Sequence, residues 1–439
     1  MESSEPTQNM QQPVVFTTKT PYPLPTQKFM IPTTWRRYHL SQLVNKALSL
    51  STSIPFDFLV RGEILKSSLG EWCSRNGVGE EETLEIEYIQ SVMPPQKMSD
   101  FPHEDWVSAV LPGLQGYLLT ASYDGSVRAF DYSKNMAASA QVHQAPGTCL
   151  SLIPSTTNED STYIIASSSH DLTAAISRLN LRVDGNTSET RVLTTLHLHT
   201  APVSSVSSNL SGTHLLTSSW DGLIGLWTTD IPSMDEVPEP EGVGCERKKR
   251  RKVADDSRPY RKAPVNVLKS HTNRVSKVVF GQGPSTPAAY SCGFDSTVRV
   301  WDTEIGVSTH TITAAEKPFL DLAVSFDGRH GLAASTDRTM MLYDLRSTES
   351  AVATSSSSSF LHPATPSCVS LSENGNQVAT GAYDGIVRIW DLRSNKGAMA
   401  SFKAWDGGQK ILDVDWKHGV IGVAGEGGVQ VWKVGESTN

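Results

Sequence analysis

Seven times between residue 117 and residue 433 the chain repeats one phrase: an apolar strand, an acid at a tight turn, then a second strand that in most copies ends in Trp or Tyr. The copies read YLLTASYDGSVRAFD, YIIASSSHDLTAAIS, HLLTSSWDGLIGLWT, AAYSCGFDSTVRVWD, HGLAASTDRTMMLYD, QVATGAYDGIVRIWD and VIGVAGEGGVQVWK. Their turn acids are Asp124, Asp171, Asp221, Asp295, Asp337, Asp384 and Glu426. A strand pair recurring every roughly 40–50 residues implies four-stranded blades closed into a ring, because one such unit cannot bury its apolar faces alone. The expected fold is therefore an all-β, seven-bladed propeller over residues 103–435. A rigid disc of this kind offers many docking faces and no chemistry of its own, which directs the functional reading toward binding.

Composition narrows the classes further. The formal net charge is −8, so no global basic field draws the chain to nucleic acid or anionic lipid. The five cysteines, Cys73, Cys149, Cys245, Cys292 and Cys368, are scattered and include no C-x-x-C pair. That pattern suits a reducing compartment and argues against structural zinc or a disulfide frame. The N-terminus lacks the basic, apolar and small-residue order of a signal peptide, and no long apolar run exists, so an intracellular chain with no membrane partner is expected.

Residues 1–12 are polar and are expected to form a disordered tail, and 436–439 a short C-terminal tail. Residues 13–89 read differently from the repeats. PVVFTTKT and QKFMIP are strand candidates, and RYHLSQLVNKALSL places Leu40, Leu43, Val44, Ala47 and Leu48 at helical spacing. FDFLV, a turn at Arg61-Gly62, EILK, a short helix closed by Gly77 and the alternating TLEIEYI follow. This order is that of a small α+β β-grasp unit, and FLVRGEIL resembles ubiquitin. Residues 90–102 form a linker. The last blade has only three strand candidates of its own, so part of this linker is expected to supply its outer strand. Successive turn acids lie 47, 50, 74, 42, 47 and 42 residues apart. The long gap holds an insertion, 231–263, that is Pro-rich, acidic and then basic, and it reads as a disordered loop.

Several constellations carry candidate roles. His199, Thr217, Asp221 and Trp227 recur one blade later as His271, Ser291, Asp295 and Trp301. WD-repeat proteins lock blades with similar hydrogen-bonded sets, and Asp384 with Trp390 belongs to the same scheme. A Ser–His–Asp triad is the catalytic alternative, but repetition with the strand period is the mark of architecture. Blades two, five and seven are expected to lack the full set. Tyr123, Trp220, Phe294 and Tyr383 immediately precede turn acids and form a candidate partner-binding face, with packing against neighbouring loops as the plain alternative. The run Arg247, Lys248, Lys249, Arg250, Arg251, Lys252 must be solvated. It reads first as a nuclear import signal, then as an RNA contact or a solubilising loop. Arg393 and Arg346, in WDLR and YDLR, match a short motif by which some WD-repeat proteins dock to a cullin-type ubiquitin ligase adaptor. An Arg packed at the blade edge is the simpler account. Glu80, Glu81 and Glu82 precede the last strand of the small unit. They are either a solvated turn or a ligand offered to another protein's Mg²⁺, which takes oxygen donors in an octahedron. No nucleotide-binding, metalloprotease or nucleophile-elbow motif occurs, so no enzyme is expected.

The phrases FDFLVRGEILKSSL, TLEIEYIQSVMPP and EDWVSAV, with the seven repeats behind them, resemble the WD-repeat ribosome-assembly factors of the Pescadillo and Block-of-proliferation complex. These carry a Notchless-like ubiquitin-like domain; Notchless itself is similar but has a longer propeller. The resemblance covers nearly all of the chain. It implies a nucleolar and nucleoplasmic factor acting on precursors of the large (60S) ribosomal subunit and on pre-rRNA processing. It further implies a propeller bound to the Block-of-proliferation WD-repeat protein, and through it to the Pescadillo protein. The ubiquitin-like domain would present an acid to the metal-ion-dependent adhesion site of the AAA ATPase midasin. The matching acid lies three residues before the first Leu of the closing strand, Leu84, and is therefore Glu81. Acids on both sides leave Glu80 and Glu82 as alternatives. No cofactor of the chain's own is implied, only the partner's Mg²⁺ shared in trans.

Overall fold

The computed structural model describes residues 10–435 apart from 50–52, 80, 92–93, 115, 155–161, 182–188, 239–257, 284–287, 314–316, 346–358 and 395–396. The chain forms two compact units, one built on the chain up to Pro94 and one on Pro95–Ile389 with Ala400–Val434.

The first unit runs β1 (Gln11–Thr17), β2 (Lys28–Pro32), α1 (Arg37–Leu48), β3 (Phe56–Val60), β4 (Glu63–Ile64), α2 (Leu69–Asn76) and β5 (Leu84–Gln90). Its sheet has the order β2-β1-β5-β3-β4, with β1 and β5 parallel and Val14 opposite Leu84. Alternate residues of three strands point one way: Val14 and Phe16, Phe56, Phe58 and Val60, and Leu84, Ile86 and Tyr88. Leu40 and Val44 of α1 and Leu69 and Trp72 of α2 close over them. Arg61 and Gly62, with φ of 52° and 76°, make the two-residue turn between β3 and β4. Two positive φ angles match the right-handed twist of a hairpin, and Gly supplies the second at no steric cost. Gly77, at φ 66°, ends α2 as expected. The expected tail 1–12 is too long. Gln11 and Gln12 already pair with Pro32 and Ile31, and Gln12 is only 1% exposed. A polar residue at a core-facing position hid the start of this strand.

In the second unit, blades one to seven span 107–141, 147–197, 203–269, 275–313, 319–361, 366–403 and 411–433. The seventh sheet contains three strands of its own and β6 (Gln96–Phe101), whose Phe101 lies opposite Val429. Because β6 precedes the first blade, this pairing ties the start of the ring to its end and covers an open edge. The expectation of an unstructured 231–263 fails at both ends of that segment. Tyr260–Lys262 adds a fifth, parallel strand to the second sheet. Arg258 pairs with Asp235 at 2.8 Å, and Glu236 N–H donates to the Arg261 carbonyl at 2.8 Å. The acidic beginning and basic end of the insertion are complementary, which composition read as one block concealed.

Each blade's inner strand carries the same one-residue bulge, at Ser108, Thr148, Ser204, Ser276, Leu320, Ser367 and Leu412. Four of these hydroxyls stitch their blade to the next. Thr148, Ser204, Ser276 and Ser367 donate to the carbonyls of Val203, Val275, Phe319 and Ile411 at 2.6–2.8 Å. Where the bulge residue is Leu, the following Asp does the work. Asp321 accepts from Val369 N–H at 2.7 Å, and Asp413 accepts from Val110 N–H at 2.9 Å across the seam between blades seven and one. The Lys277 ammonium lies 3.4 Å from Asp321 and supplies a cation to this inner ring.

Candidate functional site

The acid loop before β5 is held by Gln12, which the sequence did not mark, and by Arg61, which it marked only as a turn residue. The Gln12 amide donates to two backbone carbonyls, Gly79 at 3.1 Å and Glu82 at 2.5 Å. Glu82 N–H in turn donates to the Gly79 carbonyl at 3.3 Å. The loop is therefore tied to the first strand of the β-grasp sheet. Within it the acids differ. The Glu82 carboxylate pairs with Arg61 of the β3–β4 turn at 2.5 Å. Glu81 is exposed and has no partner among the described residues. Glu80 lies outside the described residues. Of the two visible acids, one is engaged and one is free, and an exposed carboxylate with both oxygens available is a hard, monodentate donor of the kind Mg²⁺ accepts. Among the described residues, no group of three or more His, Cys, Asp or Glu side chains could hold a metal.

In the blades the turn acids share one task. One oxygen of Asp124, Asp171, Asp221, Asp295, Asp337 and Asp384 accepts the N–H two residues on, at 2.8–3.2 Å. The second oxygen of Asp221 faces His199 Nδ1 at 3.1 Å, His199 Nε2 faces Thr217 Oγ1 at 2.8 Å, and Trp227 N–H donates to that oxygen at 2.9 Å. Asp295, His271, Ser291 and Trp301 repeat the chain at 2.8, 2.6 and 2.8 Å. Its polarity is self-consistent: Nδ1–H donates to the carboxylate, Nε2 accepts from the hydroxyl, and the hydroxyl oxygen accepts from indole. Burial alone would raise the Asp295 carboxyl. The hydrogen bonds from His271, Thr297 and the Thr272 N–H outweigh it and hold the group well below the ordinary range. Asp221 and Asp171 move the same way for the same reasons. Thr217 and Ser291 are wholly buried, so neither hydroxyl is presented to a substrate.

Blade two lacks the full set, as expected, but keeps more of it than the sequence reading found. His143 faces Asp171 at 2.9 Å and Ser167 at 2.8 Å, so the relay is present and only the Trp is missing, Ser177 standing in its place. The relay escaped notice because a longer connection separates His143 from its acid. Blades one and six use a variant. Arg128 and Arg388 take the turn acids Asp124 and Asp384, while His103 and His362 turn Nδ1 to the backbone carbonyls of Phe101 and Phe360. Burial lowers the His362 pKa to about 4. Trp390 ends blade six, largely buried.

The aromatics before the turn acids line one rim of the ring. Trp220 and Tyr383 are 38% and 40% exposed; Tyr123 and Phe294 are half-buried. The structure adds partners for them, most from outside the repeat phrase. Arg274 stacks on Trp220 at 4.6 Å, and His170 contacts the same ring at 5.3 Å. Trp106, 42% exposed, lies 5.6 Å from Tyr123, and Lys410 lies 5.9 Å from Tyr383. Arg274, Trp106 and Lys410 come from the loops that link successive blades, whose sequences do not repeat, whereas His170 stands in the repeat itself, just before Asp171. Arg393 forms a forked pair with buried Asp391 at 2.8 and 2.7 Å, which commits it to the blade edge. Arg346 and the basic run Arg247–Lys252 lie outside the described residues.

Seven blades of antiparallel sheet, acid-turn locks and an N-terminal β-grasp unit define a WD-repeat propeller protein. Residues 13–73 match the NLE (NUC135) domain, and 190–228, 262–302 and 354–391 match the WD domain, G-beta repeat. The ribosome biogenesis protein YTM1 of Laccaria bicolor is 63% identical over 431 residues, covering 97% of this chain and 95% of the relative. That of Coprinopsis cinerea is 60% identical over 433 residues, with the same coverage. The Eremothecium gossypii protein of that name is 30% identical over 415 residues, covering 90% and 89%. The chain belongs to the YTM1 family of ribosome biogenesis proteins.

Proposed function

We propose that this chain is a non-enzymatic adaptor in assembly of the large (60S) ribosomal subunit and the accompanying pre-rRNA processing, working in the nucleolus and nucleoplasm. The aromatic rim, with Tyr123, Trp220, Phe294 and Tyr383 and the cations stacked on two of them, grips the Block-of-proliferation WD-repeat protein and through it the Pescadillo protein. The ubiquitin-like unit offers Glu81 to the Mg²⁺ in the adhesion site of midasin, and that ATPase removes the complex from the pre-ribosome. The observation that carries this reading is the exposed, unpaired carboxylate of Glu81 on a loop tied to a β-grasp core, beside a Glu82 already held by Arg61. An ion held by the partner would accept a carboxylate oxygen of Glu81 as one of its ligands. This chain's own part is to hold that oxygen outward and to transmit force. The basic run Arg247–Lys252 serves as the import signal.

Affinity purification of the full chain and of a chain lacking residues 1–90 tests this. The partner propeller is expected with both, and the ATPase with the full chain only. Recovery of ligase adaptor proteins in place of pre-ribosomal ones would overturn the reading.

A further inference from the structure

The geometry points to Gln12 as the positioning residue for the acid loop: its buried amide clamps the backbone on either side of Glu81 and so sets which carboxylate a partner's cation meets. This rests on the reading of Glu81 given above. Gln12 occupies an inward-facing position on β1, among Val14 and Phe16, where an apolar side chain would otherwise pack. A buried primary amide is tolerated only where its hydrogens find acceptors. Here both donate to loop carbonyls, of Gly79 and of Glu82. The clamp fixes the backbone of Glu82, and Glu82 N–H closes the turn back onto Gly79. Arg61, across the loop, then draws the Glu82 carboxylate toward the β3–β4 turn. An exposed ion pair is weak by itself, so the clamp and not the ion pair keeps the loop in one register. A ligand for Mg²⁺ must be placed within a fraction of an ångström, because the ion tolerates little departure from an octahedron.

The chemistry of the clamp dictates a test by substitution series in the full chain. Gln12→Met keeps the shape and loses both donors. Gln12→Lys keeps an N–H donor able to reach both carbonyls. Two readouts are taken: hydrogen exchange at the Glu82 amide, and titration calorimetry against the Mg²⁺-loaded adhesion domain of the ATPase, repeated with chelator. Gln12→Met is expected to speed Glu82 exchange and to weaken the Mg²⁺-dependent affinity by about tenfold or more. Gln12→Lys is expected to restore both to within about threefold of the parent chain. Unchanged exchange and affinity in Gln12→Met, or equal losses in both variants, would overturn the clamp. A Glu81→Ala control separates the two ideas. If it binds as the parent does, the assignment of Glu81 as ligand falls, while exchange at Glu82 still decides whether Gln12 orders the loop.

Discussion

A carboxylate can serve another protein's cation only if its own chain leaves it free, and at the scale of single residues that condition separates Glu81 from Glu82. The opposite condition holds in the blades, where every polar hydrogen of the relay is used. Ser291→Ala removes one oxygen and orphans two buried groups, His271 Nε2 and the Trp301 indole N–H. An unsatisfied buried group costs about 1–3 kcal/mol, so a loss of about 2–6 kcal/mol is expected for the two, read as a lower midpoint in chemical or thermal unfolding. Ser177→Ala has the opposite sign: it removes a buried hydroxyl that has no partner, and should raise stability by about 1 kcal/mol. The relay of blades three and four was legible in the sequence, since His, Ser or Thr, Asp and Trp all stand in the repeat at near-constant spacing. The roles of Gln12 and Arg61 were not. Both act on residues about 20 to 70 positions away, through contacts that only the β1–β5 and β3–β4 pairings bring about.

At the scale of elements, the turn after each acid requires a left-handed residue. Gly125, Gly222 and Gly385 supply it freely, whereas Leu172, Ser296 and Arg338 adopt φ of 70°, 59° and 70° in the equivalent turns. The left-handed region costs a residue with a side chain about 1–2 kcal/mol. Leu172→Gly should therefore raise stability by about 1 kcal/mol after the entropy of the added Gly is set against it. Gly222→Ala should lower stability by a similar amount, the space around its Cβ being open enough that conformation alone decides. Denaturant titration of both variants checks the pair of signs. Strand identities followed from periodicity, because alternation and turn acids recur in each blade. The fifth strand at Tyr260–Lys262 did not, since three polar residues beside a basic run carry no apolar alternation. Nor did the exchange of a bulge hydroxyl for a following Asp at Leu320–Asp321 and Leu412–Asp413, which becomes meaningful only when neighbouring blades are in contact.

At the scale of the whole molecule, ring closure places charge at the axis. Desolvation raises the Asp413 carboxyl to about 6, against the attraction of Lys277 and the Val110 N–H, with Asp321 and Asp415 adding to the rise. The folded state then binds more protons than the unfolded chain between about pH 3.8 and 6. Asp413 accordingly favours folding at low pH, and that contribution fades as pH rises through 6. Asp413→Asn keeps an acceptor for Val110 and removes the charge. It should stabilise the ring at pH 8 by up to about 3 kcal/mol, with a smaller gain at pH 5. An equal gain at both pH values, read by thermal unfolding, would contradict the burial of that charge.

The central claim is that a propeller adaptor lends one oxygen to a cation it does not own. It is tested most directly by calorimetric titration of the full chain and its Glu81→Ala variant into the Mg²⁺-loaded adhesion domain of the ATPase, each repeated with chelator. Tight binding by the parent alone, abolished by chelator, is the expected result. Binding that survives the chelator or the Glu81→Ala substitution would contradict it.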